Sequence, residues 1–444
     1  MRIRLFRLAL TILIAAPLTY AANLEFTFKG TGSIRGSFAT SETGYQTQQG
    51  PAMDAHFTKQ ASGNNSPARV PSASVPRPAA SAITGPGSNF SGFNGMTHLD
   101  QRLAGGGNQF SLETPDQGLG VGNGFVVEAV NLAVSVYSAS GSPLGIAALN
   151  GFLGLAPSID RSSTPPAYGP FTSDPRVYYD APTGRWFLSL LEIDTDPSTG
   201  ALLGHSAVYV AVSQSSDPTG SWNIYFFGTT DSGNPGCPCF GDQPLIGADQ
   251  NGFYVTTNEF SILGPEFNGA QIYAISKTAL ESNTSPVAIH IPGGPLAESI
   301  SYSVQPATAP PNGAYESANG GTEYFMSALD FTSTLDNRIA VWALTNTSSL
   351  NTTSPSLTLS NVVIPSEVYG VAPASEQMHS VVVAMVHTQS QTCLAHLISP
   401  TIGPEEQNHA LDVQFSRWPE NGRDVVDHRQ RSYASGILRM GGRG

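Results

Sequence analysis

The sequence predicts an all-β chain folded as a β-propeller, and three observations carry that reading. Only 12% of its residues are charged, while Gly (46) and Pro (33) are abundant, a composition that favours short strands and turns over helices. Long Glu/Lys/Leu-rich periodic segments, which would argue for a helical bundle, are missing. Strand-like runs recur in blocks: Asp116 to Asp174 is 58 residues, Asp174 to Asp242 is 68 and Pro244 to Pro306 is 62. Units of about sixty residues, each roughly four antiparallel strands joined by Gly/Asp/Pro turns, suit blades better than a sandwich, whose strands do not recur in blocks. Five blades is the expected number, with the last incomplete or aberrant.

The elements follow in chain order. Residues 1–21 read as a secretory signal peptide: Arg2, Arg4 and Arg7 precede an apolar stretch from Leu8 to Leu18, and small residues stand at the cleavage positions. That stretch is well short of the roughly 20 residues a membrane span needs, so an exported protein without a membrane span is expected, extracellular or in the cell envelope. Residues 22–89 form an N-terminal segment with one strand-like run, "NLEFTFKGTG", and then a flexible linker. Residues 60–88 carry five prolines and no aromatic, too little apolar surface to offset the entropy of ordering.

The propeller body is placed at 90–377. "TPDQGLGVGNGFVVEAVNLAVSVYSASGSPL" reads as two strands and turns from Pro115, and "SDPRVYYDAPTGRWFLSLLEID" with "HSAVYVAVSQSSDPTGSWNIYFF" as four strands from Asp174. A third unit starts at Asp242 and a fourth near Gln305. Residues 378–444 read as an irregular segment: they hold five of the nine His and six Arg in the last 28 residues, and lack blade alternation and turn chemistry. A truncated or frame-shifted reading, or a divergent appendage, accounts for such a break.

Net charge is −13, and residues 22–416 alone hold 11 Lys+Arg against 30 Asp+Glu. Such a body repels phosphate backbones and anionic membrane surfaces, so no nucleic-acid partner is expected. The chain contains no P-loop, dinucleotide fingerprint, H-E-x-x-H or G-x-S-x-G motif.

The phrases "NQFSLETPDQGLGVGNGFVVEAVN", "DPRVYYDAPTGRWFLSLLEIDTDPSTGAL", "SSDPTGSWNIY" and "GDQPLIGADQNGFYVTTNEFSILGPEFNGAQIYAISKTAL" resemble a family of exported bacterial proteins without assigned activity, usually described as β-propellers. The resemblance covers about Phe90 to Gln377 and implies a secreted propeller, with no catalytic residue carried over. More loosely, Asp174-Pro175 opening a blade and "SSDPTGSW" are similar to five-bladed glycosidases acting on arabinan, xylan or fructan. "DPTGSW" is also similar to the Asp-box turn of sialidases, one residue too long from Asp217 to Gly220.

Candidate chemistry is confined to a few acids. Glycoside hydrolysis needs two carboxyl groups facing one cleft, one protonated and one ionised. Asp116, Asp174 and Asp242 occupy similar places at blade starts and could converge on a channel mouth, with Glu259 or Glu323 supplying the acid. The same aspartates could instead cap turns beside proline. In "FYVTTNEF", period two places Glu259 on one face with Phe253 and Val255, where burial would raise its pKa.

Asp194 and Asp196 in "DTDPSTG" suggest a structural calcium loop, as does Asp249 in "ADQNG", because hard cations take alternate oxygens from a tight turn. No other cofactor is expected. Cys237 and Cys239 are candidates for a loop-pinning disulfide, with a metal or redox loop as the alternative. Trp186 and Trp222 follow Asp-containing turns and either pack between blades or stack on sugars. The leading expectation is a module that binds a glycan or an extracellular protein through channel-mouth loops. The rival is a carbohydrate-active hydrolase.

Overall fold

The computed structural model describes residues 22–38, 90–369 (without 111, 113–114, 293–295, 297–299, 310–312 and 330–335) and 412–416. The signal segment 1–21, most of the linker and most of 378–444 lie outside the described residues. Two short strands come first, β1 (Ala22–Asn23) and β2 (Thr27–Ser33), followed by β3 (Phe90–Asn94) and helix α1 (His98–Leu103). α1 begins on a capping box: Asp100 N donates to Thr97 Oγ1, and Thr97 N donates to the Asp100 carboxylate.

Four blades follow. The first comprises β4 (Gly118–Gly122), β5 (Phe125–Val130), β6 (Ala133–Ser138) and β7 (Pro143–Ala148), four strands where the sequence suggested two. After the short pair β8 (Ile159–Asp160) and β9 (Ala167–Tyr168), the second blade holds β10 (Phe171–Asp180), β11 (Arg185–Thr195), β12 (Leu202–Ser213) and β13 (Ser221–Gly228). The third holds β14 (Cys239–Ala248), β15 (Gly252–Ser261), β16 (Phe267–Ser276) and β17 (Ala288–Ile291), and the fourth β18 (Gln305–Pro306), β19 (Thr322–Ala328), β20 (Asp336–Thr345) and β21 (Thr358–Tyr369).

Within each blade every strand pairs antiparallel with the next. The first strands β4, β10, β14 and β18 adjoin in that order. Successive sheets whose first strands lie side by side and whose faces stack form a β-propeller. One further pairing joins β3 to β22 (Asp412–Ser416), with Phe93 opposite Val413, so a strand from the C-terminal segment meets the strand that opens the body.

The N-terminal segment does not stand apart from this body. β1 pairs with β17 and β2 with β13, adding a fifth strand to the outer edges of the third and second blades. Sheet edges left bare present unpaired backbone groups, and these strands cover two of them.

Stacking explains why the central strands are apolar almost without interruption, since a blade covered on both faces has no wet side. On β11, Trp186, Leu188 and Leu190 pack toward Val127 and Val134 of the first blade. Phe187, on the opposite face, packs with Phe253 and Val255 of the third, its ring 4.6 Å from that of Phe253. Tyr254, Ile272, Phe325 and Trp342 join the third blade to the fourth in the same way. The first and second blades approach closely because "GLGVG" places Gly118, Gly120 and Gly122 against Pro175, Val177 and Tyr179. A Cβ on Gly122 would lie 1.9 Å from Tyr179 Cδ1. No helix among the described residues is long and apolar enough to cross a membrane.

Candidate functional site

The head of each inner strand carries a residue with positive φ: Asp116 (46°), Asp174 (55°), Gln243 (48°) and Ser303 (45°). None is glycine, and a non-glycine residue held there costs about 1–3 kcal/mol. In the second and third blades the register then skips, between Ser173 and Arg176 and between Asp242 and Leu245. A proline occupies each skipped stretch, where no ladder hydrogen bond is required of it. This corrects the alignment of blade starts: the counterpart of Asp116 and Asp174 is Gln243, and Asp242 lies one residue earlier, in the place of Ser173.

The strained backbone is held by side chains of the preceding blade. Asp174 N donates to Asn131 Oδ1 at 2.9 Å, Gln243 N to Asp174 Oδ2 at 3.3 Å, and Ser303 N to Asn258 Oδ1 at 2.8 Å. Asn131 also donates to Asp116 Oδ2 at 2.9 Å, and Asn258 to Ser303 Oγ at 3.0 Å. Asn258 lies opposite Asp242 in the third blade, whereas the corresponding residue opposite Ser173 in the second is Leu191. With no amide at that place, the Asp174 carboxylate takes the Gln243 N–H.

Asp174 and Asp242 therefore meet. The two carboxyl groups lie within hydrogen-bonding reach of one another, with Arg176 and Asp116 close enough to act on them electrostatically. Burial pushes the Asp174 carboxyl up to about 7, the Asp242 charge adds to the shift, and Arg176 opposes it. Burial raises Asp242 to about 6, the hydrogen bond with Asp174 opposing and Asp116 adding. Such a pair titrates as a unit, one carboxyl holding a proton for the other. Asp174 is buried, while Asp116, Gln117, Arg176 and Asp242 keep partial contact with solvent. Acceptors and a guanidinium thus stand together at a partly exposed place on the heads of the inner strands.

The remaining predicted residues lie elsewhere. Glu259 accepts from Asn234 Nδ2 and Asn268 Nδ2, both at 2.8 Å, and hydrogen-bonds Asp231 rather than Asp174 or Asp242; burial lifts it to about 7. Glu323 accepts from Ala307 N at 2.9 Å, and its pKa is raised well above the carboxylate range by burial and then by Asp249. Neither is brought to the Asp174–Asp242 pair.

Asp196 Oδ1 is taken up by the amides of Ser198 and Thr199 at 2.9 and 2.8 Å, and Asp194 Oδ2 lies 3.8 Å from His205 Nδ1. Asp249 Oδ1 caps its turn through Asn251 N and Gly252 N at 2.8 and 2.6 Å. Cys237 and Cys239 are joined by a disulfide with Cα atoms 4.4 Å apart. They and Glu259 make up the group of possible metal-ligand atoms found within 4.8 Å of one another among the described residues. Trp186 and Trp222 are fully buried, their Nε1 groups donating to Ser216 O and Pro218 O, so both pack between blades.

Three features were not anticipated. Asn131 and Asn258 each follow their own blade's positive-φ residue by fifteen positions, in "EAVN" and "TTNE", a spacing that could have exposed them. Glu128 is fully buried, accepts from Gln117 Nε2 at 2.7 Å and Met96 N at 2.8 Å, and is pushed up to about 7 by burial. Lys277 and Asp180 form a buried ion pair at 3.0 Å, with the Lys277 ammonium 4.5 Å from the Tyr315 ring centroid.

No family model and no curated protein matches the chain. Among solved structures it is similar to a GH43 β-1,3-galactosidase bound to galactodeoxynojirimycin, at 15% identity and TM-score 0.31 over 58% of this chain and 78% of that one. An exo-β-1,3-galactanase from Clostridium thermocellum matches at 15% identity and TM-score 0.31 over 58% of this chain and 50% of that one. An α-L-arabinofuranosidase from Lactobacillus brevis matches at 12% identity and TM-score 0.26 over 55% and 71%. No residue role is carried across from any of them.

Proposed function

We propose that this chain is an exported, non-catalytic module that binds a glycan at the channel mouth formed by the heads of its inner strands. The observation that carries the reading is the convergence of Asp116, Asp174, Asp242 and Arg176 at one partly open place on a rigid scaffold. Carboxylates accept from sugar hydroxyls and a guanidinium donates to sugar oxygens, so the set matches a neutral, hydroxyl-rich ligand. Hydrolysis fits less well. Acid and base must flank a glycosidic bond, about 5–5.5 Å apart for retention and about 6.5–9.5 Å for inversion, and carboxyl groups that hydrogen-bond each other leave no room for the bond. One observation favours the rival: a carboxyl with a pKa near 7 has the protonation state of a general acid.

The deciding experiment is a glycan array and a chromogenic-glycoside panel on residues 22–444, run beside the Asp174→Asn, Asp242→Asn double variant. Binding without turnover, weakened at least tenfold in the variant, supports the module. Turnover that disappears in the variant makes the chain a hydrolase.

A further inference from the structure

The loop that leads from the second blade to the third passes a polar cluster that the site at the inner-strand heads does not use. Asp231 belongs to that loop, between β13 and β14, while Thr257 and Glu259 stand two residues apart on β15 and so face the same way. Tyr273, on β16, brings its hydroxyl toward Thr257 and stands close to both acids. Oxygen-bearing side chains from a loop and two strands thus meet where the second blade packs on the third.

Three of these oxygens are buried without a hydrogen-bond partner: Asp231 Oδ2, Thr257 Oγ1 and Glu259 Oε2. Thr257 is 2% exposed and Glu259 1%. The other oxygen of Glu259 is accounted for, since Oε1 accepts from the Asn234 and Asn268 amides. The two carboxyl groups lie within reach of one another, and among the described residues no Lys or Arg is ion-paired to either. His290 faces Asp231, but its Nε2 is engaged with Gln271 Oε1 at 2.9 Å.

Buried polar atoms cost free energy unless something pairs with them. A proton shared by the two acids serves two of the three oxygens and leaves Thr257 Oγ1 as it is. A cation serves all three at once. Hard cations take carboxylate, hydroxyl and water oxygens, and two carboxylates match a divalent charge; Ca²⁺ accepts an irregular oxygen set, whereas Mg²⁺ demands a near-ideal octahedron.

We propose that Asp231, Thr257 and Glu259 form a calcium site that pins the interblade loop to the third blade, with the Tyr273 hydroxyl beside it and water completing the shell. Asp231 is only half-buried, and its side is the one from which the ion and its waters enter. The place is distinct from the turns at Asp196 and Asp249, whose carboxylates are occupied by backbone amides.

The test uses the full chain freed of metal with a chelator, calcium chloride alone as the probe, and thermal unfolding and titration calorimetry as readouts. Millimolar calcium should raise Tm by about 5 °C and give a saturable binding heat. Thr257→Val, which keeps the shape and removes only the hydroxyl, should weaken binding at least about tenfold, and Glu259→Gln should abolish the response. The Asp194→Asn, Asp196→Asn double variant should keep it.

Neither a rise in Tm nor a binding heat in the parent chain overturns the proposal and leaves a proton shared by the two acids. A response that survives unchanged in Glu259→Gln or Thr257→Val, or disappears in the Asp194→Asn, Asp196→Asn double variant, puts the ion elsewhere and overturns it equally. If Glu259→Gln fails to fold by circular dichroism, Thr257→Val decides alone.

Discussion

Asp174 has two duties that pull against each other. Its carboxylate secures the strained backbone of the next blade at Gln243, and the same group sits against the Asp242 carboxyl. Asn keeps the acceptor, tolerates positive φ and removes a charge, whereas Ala loses the acceptor and adopts that backbone poorly. Asp174→Asn is expected to stay within about 1 kcal/mol of the parent in urea unfolding, and Asp174→Ala to lose about 2–3 kcal/mol. Equal losses would remove the capture from the account.

At this scale the sequence was legible in part. Aspartates beside prolines marked the blade heads, but period counting could not see that a bulge puts Gln243, not Asp242, in the place of Asp174. The acids Glu259 and Glu323 were suggested by residue type and strand position, and neither specifies which blade face or junction a strand-borne carboxyl will meet.

Blades were the most readable elements because their strands alternate or run apolar between Gly, Asp and Pro turns. "DAPTGRW" and "DPTGSW" behave as their residues suggest: Thr183 Oγ1 donates to Asp180 at 2.6 Å and Thr219 N to Asp217 at 2.9 Å, closing each turn ahead of a buried Trp. Positive φ is needed at Gly184 (64°) in the first of these turns. The run "NLEFTFKGTG" was legible as a strand, but its docking on a blade was not, because pairing at an edge is made by backbone groups and leaves little trace in side-chain pattern.

The glycines of "GLGVG" look like weak strand formers, yet they are what lets β4 lie against β10. Gly122→Ala should lower stability by about 1–3 kcal/mol through overpacking on Tyr179. The paired variant Gly122→Ala, Tyr179→Ala should recover part of that loss in a thermal double-mutant cycle. Strict additivity would mean that the contact with Tyr179 is not what limits position 122.

Among the described residues five carboxyls are raised by burial above all: Glu128 to about 7, Asp174 to about 7, Asp242 to about 6, Glu259 to about 7 and Glu192 to about 8. An unfolded carboxyl titrates near pH 4. Between about pH 4 and pH 7 the folded chain therefore binds more protons than the unfolded one, and its stability falls as pH rises. Tm is expected to be higher near about pH 5 than at about pH 8, with the slope reduced in Asp174→Asn and Glu128→Gln. A Tm that climbs with pH across that window would contradict the burial of these acids.

The strand β2 has a consequence in time. Its partner β13 begins only at Ser221, so on a ribosome the earlier strand emerges and waits until the first blade and most of the second have been made. During that interval Thr27–Ser33 is an unpaired strand tethered to its own future docking edge, free to be held by a chaperone or to pair with a neighbouring chain. Whatever escorts the nascent protein therefore has a definite task, which is to keep one seven-residue strand solitary until its own edge exists.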